Sequence, residues 1–302
     1  MLEAVIILAV LGAVFGAILA IAGRKLYVFV DPRVEQITEL LPGANCGSCG
    51  FPGCNGLAEA IVTGEIGAFP CVACTKESKV KIAQIMGITE ELPLSEEVRR
   101  VARLSCAGCK NSGNSDFEYT GITDCHVAAK SLNSPGKCNF GCFGFGTCVR
   151  NCPFDAITMG ADHRPVFDYA KCRGCGVCVS ICPQRALYLA DINFSIHLNC
   201  NNREQGKKAM LAGDTSCISC GICVRTCPEG AITMQNDDNG CIPVINSAKC
   251  TECGLCVEKC PRHALQKLPP IETDFEFCKT PPKEPSGCAA CPFSSGCAVR
   301  KD

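Results

Sequence analysis

Two stretches of the chain repeat one arrangement of thiols. They read Lys171-Cys172-Arg-Gly-Cys175-Gly-Val-Cys178-Val-Ser-Ile-Cys182-Pro183 and Lys249-Cys250-Thr-Glu-Cys253-Gly-Leu-Cys256-Val-Glu-Lys-Cys260-Pro261. Each is preceded by a related half-site, one carrying Cys217, Cys220, Cys223 and Cys227-Pro228, the other Cys138, Cys142, Cys148 and Cys152-Pro153. The chemistry open to clustered thiolates is metal binding, redox exchange or cross-linking. With 30 Cys in 302 residues, a disulfide scaffold and a metal carrier are the two competing explanations. Disulfide partners need no fixed short spacing, whereas one inorganic cluster demands several thiolates within a few residues and another from elsewhere. The repeated short spacing therefore favours metal.

Three of the four half-sites match C-x2-C-x2-C-x3-C-P, the run in which three thiolates wrap one [4Fe-4S] cube and the fourth cysteine ligates the other cube of the pair. On that rule Cys217, Cys220, Cys223 and Cys260 hold one cube, and Cys250, Cys253, Cys256 and Cys227 its partner. In the earlier copy, Cys172, Cys175, Cys178 and Cys152 form one set, and Cys138, Cys142, Cys148 and Cys182 the other. That last half-site departs from the pattern, reading Cys138-x3-Cys142-x5-Cys148-x3-Cys152 with an enlarged Phe143-Gly144-Phe145-Gly146 loop. The proline after each fourth cysteine predicts a short helix starting there.

A further cysteine block lies nearer the N-terminus: Cys46-Gly-Ser-Cys49-Gly-Phe-Pro-Gly-Cys54, followed by Cys71 and Cys74. Cys46, Cys49 and Cys54 on a glycine-rich loop can wrap one face of a cube. Cys71 is the preferred fourth ligand, with Cys74 as the alternative and a four-cysteine zinc site as the competing chemistry. A helix is expected over Pro32 to Leu41 before this block and another over Leu57 to Thr63 within it. In the cysteine-free stretch that follows, a charged amphipathic helix is expected over Ser95 to Leu104, introduced by Ser95 as N-cap.

Ahead of all this, Ala4 to Gly23 is an uncharged run of mostly Ala, Val, Ile and Leu. Twenty residues of helix span about 30 Å, the thickness of a hydrocarbon core. Arg24 and Lys25 follow, and Glu3 is the only charge before the run. This places the positive flank, and everything after it, on the cytoplasmic side of the cell (inner) membrane. A cleaved signal peptide would carry its positive charge before a shorter run. Gly12 and Gly16 are spaced to seat a neighbouring helix.

The remaining cysteines are less ordered. Cys278, Cys288, Cys291 and Cys297 in a Pro-, Gly- and Ser-rich tail form either a sixth metal site or a tail without one. Cys106, Cys109 and Cys125 have no evident fourth partner, and Cys106 and Cys200 read as buried structural thiols. His126, His163, His197 and His263 have no ligand spacing. A net charge of −1 gives no sign of a nucleic-acid surface, and no P-loop, dinucleotide fingerprint or hydrolytic triad is present.

The expected organisation is α+β. It comprises a transmembrane anchor over 1–26, a [4Fe-4S] domain over 27–76 and a connector over 77–105. Two ferredoxin modules follow over 106–190 and 191–268, then a cysteine-rich tail over 269–302. At least five [4Fe-4S] clusters are expected, six if the tail binds one.

Over nearly its whole length the chain resembles the B subunit of the Rnf complex. The resemblance rests on the anchor, Leu41-Pro-Gly-Ala-Asn-Cys46-Gly-Ser-Cys49-Gly-Phe-Pro-Gly-Cys54, Tyr119-Thr-Gly-Ile-Thr-Asp-Cys125 and the Cys142-Phe-Gly-Phe-Gly-Thr-Cys148 loop. It implies an electron-transfer subunit of a membrane-bound ferredoxin:NAD+ oxidoreductase that pumps Na+ or H+. Soluble ferredoxin would be the donor, other membrane and peripheral subunits the partners, and flavin and NAD sites would lie on other chains. The competing readings are a membrane-tethered polyferredoxin serving a hydrogenase or redox-sensor reductase, and a zinc or disulfide scaffold.

Overall fold

The computed structural model describes residues 2–25, 31–66, 70–88, 98–108, 119–131 and 138–269. Cys109 and the tail cysteines Cys278, Cys288, Cys291 and Cys297 lie outside the described residues. The chain divides into two compact units, one of residues 1–43, 51–69 and 75–90, the other of residues 44–50, 70–74 and 91–302.

The first unit is helical. Helix α1 (Leu2–Lys25) covers the apolar run and carries Arg24 and Lys25 in its last turn. Among the described residues, no helix is long and apolar enough to cross a membrane. Helix α2 (Pro32–Leu40) starts where Asp31 accepts the Arg33 amide at 2.9 Å, a side-chain cap for an otherwise unpaired donor. Helix α3 (Cys54–Thr63) opens on a ligand-type cysteine and stops at Gly64, whose φ of 75° closes the last turn without a Cβ clash. Helix α4 (Lys76–Ile85) is capped by Thr75, which accepts from Ser78 at 3.2 Å. It lies in the stretch expected to be a connector. Val34 and Ile37 of α2, Leu57 and Ile61 of α3, and Ile82 of α4 are buried and form the core of this unit.

The second unit strings short elements around cysteines. In chain order they are β1 (Arg100–Leu104), α5 (Cys125–Ser131), α6 (Thr147–Arg150), β2 (Ile157–Met159), β3 (Pro165–Phe167), α7 (Val177–Ser180) and β4 (Leu187–Asp191). The second copy follows as β5 (Ile196–Leu198), α8 (Gly206–Ala212), α9 (Ile222–Thr226), β6 (Ile232–Asp237), β7 (Gly240–Ile245), α10 (Leu255–Glu258) and β8 (Leu265–Lys267). Among the described residues four two-stranded antiparallel sheets result, pairing β1 with β4, β2 with β3, β5 with β8 and β6 with β7. Two-stranded sheets are marginal alone, so each copy gathers its sheets over one core. The first contains Val101, Ile157, Leu187 and Ile192, the second Phe194, Ile196, Ile232 and Leu265.

Two expectations are corrected here. The segment ending at Leu104 is not a charged helix: Arg100–Leu104 is strand β1, in register with β4 from Arg100↔Asp191 to Leu104↔Leu187. Pairing with a strand far along the chain overrides the local charge pattern, and Val101 and Ala102 are buried by it. The short helices also precede the fourth cysteines rather than starting at them. α7 and α10 end before Cys182-Pro183 and Cys260-Pro261, because the residue before a proline is disfavoured in helical backbone. Their starts are set by Gly176 and Gly254, whose φ values of 77° and 84° turn the loop into the helix.

Residues 105–107 tie the two copies together. The Ser105 amide donates to Ala186 at 2.7 Å, while its hydroxyl donates to the Leu198 carbonyl at 2.7 Å. The Ala107 amide donates to Asn199 at 2.9 Å, and Cys106 faces Cys200 across this antiparallel bridge.

Candidate metal centres

In the second copy, Cys217, Cys220, Cys223 and Cys260 line one small cavity, with Ile218, Ile222, Met234 and Leu265 as its apolar wall. Burial pushes the Cys223 thiol up to about 11, and the nearby charges acting on it are those of Cys217, Cys220 and Cys260. The other four thiols group in the same crossed manner: Cys256 is raised by burial and then by Cys250, Cys253 and Cys227. In the first copy, burial raises Cys178 to about 12, and Cys172, Cys175, Cys148 and Cys152 act on it in turn.

The remaining cavity of the first copy is lined by Cys125, Cys142, Cys148 and Cys182, together with Leu104, Phe143, Met159, Ile181 and Leu187. Cys138 is not among its lining residues. Burial raises Cys142 to about 12 and Cys148 to about 11. Such thiols are protonated near neutral pH without metal, so loading iron must release protons.

Local hydrogen bonds hold these loops. The Ala156 amide donates to Cys152 Sγ at 3.4 Å, and the equivalent Ala231 amide to Cys227 Sγ at 3.3 Å. Donors aimed at ligand sulfurs are a means of setting cluster potential. Arg99, in the expected connector, donates to the carbonyls of Tyr169 (2.6 Å), Ala170 (3.0 Å) and Cys172 (2.6 Å) and so fixes the start of the Cys172 loop. Sequence reasoning missed it, since nothing local distinguishes it from a solvated charge.

In the N-terminal block, Cys54 is buried at the start of α3, and Cys71 is buried while Cys46, Cys49 and Cys74 are half-buried. Within the second unit, the Ser48 hydroxyl donates to the Cys175 carbonyl, and Cys46 is among the thiols acting on Cys175. The loop between Cys46 and Cys49 thus rests on a cysteine loop of the first copy.

The donor set fits iron–sulfur cubes. Four thiols line an apolar cavity in each copy, and backbone N–H groups face the sulfurs of Cys152 and Cys227. Among the described residues, no three His, Cys, Asp or Glu side chains converge tightly enough to hold a single metal ion. Cys200 is different: its buried sulfur accepts the amides of Asn202 (3.4 Å) and Cys217 (3.2 Å), a supporting contact behind the Cys217 loop.

Comparison with known proteins matches residues 41–72 to the family described as "Putative Fe-S cluster", residues 165–188 to "4Fe-4S binding domain" and residues 216–264 to "4Fe-4S dicluster domain". The chain is 41% identical over 231 residues to the B subunit of the Na(+)-translocating ferredoxin:NAD(+) oxidoreductase complex of Acetobacterium woodii, covering 76% of this chain and 68% of that protein. It is 34% identical to the proton-translocating counterpart of Clostridium ljungdahlii, covering 67% of this chain and 70% of that one. It is 35% identical to the B subunit of the ion-translocating oxidoreductase complex of Methanosarcina acetivorans, covering 68% and 77%.

Proposed function

The chain belongs to the family of B subunits of ion-translocating ferredoxin:NAD+ oxidoreductase complexes, and from that premise we propose that it is the electron-input subunit of such a complex. It takes electrons from a reduced soluble ferredoxin and relays them to the other subunits, which couple the reaction to Na+ or H+ movement. This chain transfers electrons only. Flavin and NAD chemistry belongs to its partners.

The observation that carries this reading is the grouping of thiols into successive fours within one compact unit. A [4Fe-4S] cube held by such a set supplies a reversible one-electron store. The protein holds the thiolates, aims the Ala156 and Ala231 amides at sulfur and walls off water with leucine, isoleucine and methionine side chains. The proposed ligands are Cys172, Cys175, Cys178 and Cys152; Cys217, Cys220, Cys223 and Cys260; and Cys250, Cys253, Cys256 and Cys227. A further cube takes Cys142, Cys148 and Cys182. For the N-terminal cluster, spacing supports Cys46, Cys49, Cys54 and Cys71, giving five cubes before any in the tail.

Helix α1 is proposed as the single membrane anchor, with the rest of the chain on the cytoplasmic side. Support comes from the uncharged run Ala4 to Gly23 and from the exposure of large apolar side chains such as Ile6, Val10, Phe15 and Leu19. Large apolar side chains exposed along one helix favour a non-aqueous surrounding.

The test is anaerobic isolation of the full chain. Broad absorbance near roughly 400 nm, bleached by reduced ferredoxin, with about twenty irons and twenty sulfides per chain, is the expected result. A colourless, zinc-loaded or disulfide-linked protein would refute the proposal.

A further inference from the structure

The irregular half-site of the first copy has more cysteines near it than one cube can use, and the structure separates them. We infer that Cys125, not Cys138, is the fourth ligand of the cube held by Cys142, Cys148 and Cys182. The inference rests on the reading of these cavities as iron–sulfur sites and deepens it.

The second copy supplies the template. Its cavity is lined by Cys217, Cys220, Cys223 and Cys260. In the first copy Cys142, Cys148 and Cys182 take the places of Cys217, Cys223 and Cys260, since Cys142-x5-Cys148 repeats the Cys217-x5-Cys223 spacing and puts Phe145 where Cys220 would be. Cys125 completes the lining in place of Cys220. Cys138 lies outside that cavity and toward Cys200, on which its charge acts.

Cys125 is also fastened to the loop it would serve. Its amide donates to Thr147 Oγ1 at 2.9 Å, one residue before Cys148. The buried Thr147 hydroxyl in turn donates to Asp124 Oδ2 at 2.9 Å. Arg150 bridges the same partners, reaching Asp124 Oδ2 at 3.1 Å, the Thr123 carbonyl at 3.3 Å and the Phe145 carbonyl at 2.8 Å. A segment from before α5 is thereby clamped onto helix α6, which carries Cys148. The loop from Cys142 to Cys148 is no longer than its counterpart from Cys217 to Cys223, but Phe145 takes its middle ligand position, so it delivers two thiols and the missing one arrives from upstream. On loading, the Cys125 thiol gives its proton to solvent as Sγ bonds to iron, with no change in electron count.

The experiment compares full-length Cys125→Ala and Cys138→Ala, isolated anaerobically beside the unaltered chain, by iron and sulfide content and by EPR of the reduced protein. Cys125→Ala is expected to lose one cluster, up to about four irons, or to leave a three-iron remnant. Cys138→Ala is expected to retain the full content and spectrum. Loss in Cys138→Ala with retention in Cys125→Ala overturns the assignment, and so does equal loss in both. A Cys125→Ser variant, whose oxygen can still ligate, should keep the iron and alter one EPR signal; an unaltered spectrum counts against the inference. Absence of iron from the unaltered chain would sink the electron-transfer reading itself, a distinguishable result.

Discussion

The Tyr188 hydroxyl and the His197 imidazole are hydrogen-bonded at 2.9 Å, joining β4 of the first copy to β5 of the second. His197 is 2% exposed, and its Nε2–H donates to the Phe194 carbonyl at 2.6 Å, so Nδ1 is left to accept from Tyr188. Both ring nitrogens are engaged by the neutral form.

Burial, and then the positive charge of Arg103, lower the His197 pKa from 6.5 to about 4. Between those values the unfolded chain binds the extra proton and the folded one does not. The stabilisation is therefore complete above pH 6.5 and declines as acid carries the protein down toward pH 4, on the order of 3 kcal/mol in all. Histidine C2 hydrogen exchange, read by mass spectrometry, should give His197 a midpoint far below the ordinary imidazole value. A midpoint near the ordinary value would contradict this account.

The crossed grouping of thiols makes a prediction about paired substitutions. Cys220→Ala and Cys260→Ala affect one cube, so the double variant should lose no more iron than either single one, about four per chain. Cys253→Ala combined with Cys260→Ala touches two cubes and should lose about twice that. The reverse pattern, found by iron analysis, would assign Cys260 to its own half-site.

Cys200 accepts two backbone amides and lines neither cavity described above. Cys200→Ala should therefore retain all iron while leaving two N–H groups short of an acceptor, at a cost of about 1–3 kcal/mol. Denaturant unfolding followed by cluster absorbance measures this; loss of a cluster under native conditions would make Cys200 a ligand.

The turn after each fourth cysteine needs one residue of positive φ: Asp155 at 48°, Arg185 at 50°, Gly230 at 57° and His263 at 50°. Only one of the four is glycine. Replacing exposed His263 by glycine relieves a left-handed side-chain clash at some gain in unfolded-chain entropy, for a net stabilisation of about 1 kcal/mol. The denaturant midpoint should rise, and a fall would mean that the His263 ring makes a contact worth more than the strain.

What could be read from the sequence was whatever depends on neighbours along the chain. The regular runs from Cys172 and Cys250 and the helices at Pro32 and Leu57 follow from local spacing and capping. Apart from the short helices ahead of Pro183 and Pro261, whose limits are a local matter, the misreadings involve partners far away. Arg99, Arg100 and Arg103 look like one face of a solvated helix, yet they lie in or beside a strand whose partner begins at Leu187. Arg103 is 4% exposed there, with its guanidinium 5.3 Å from the Tyr169 ring centre, a stacking no local pattern encodes. Cys125 could not be separated from Cys106 and Cys109 for the same reason, since Thr147 and Arg150, which pin it, lie beyond the intervening loop.

In each copy the first strand hydrogen-bonds to the last, β1 with β4 and β5 with β8. Entry and exit of a copy therefore emerge at a shared edge, and another copy can be spliced in there without disturbing the interior of those already present. A conductor assembled on this plan can change its reach in whole steps: gene duplication adds a link, deletion removes one, and every surviving link keeps its own fold.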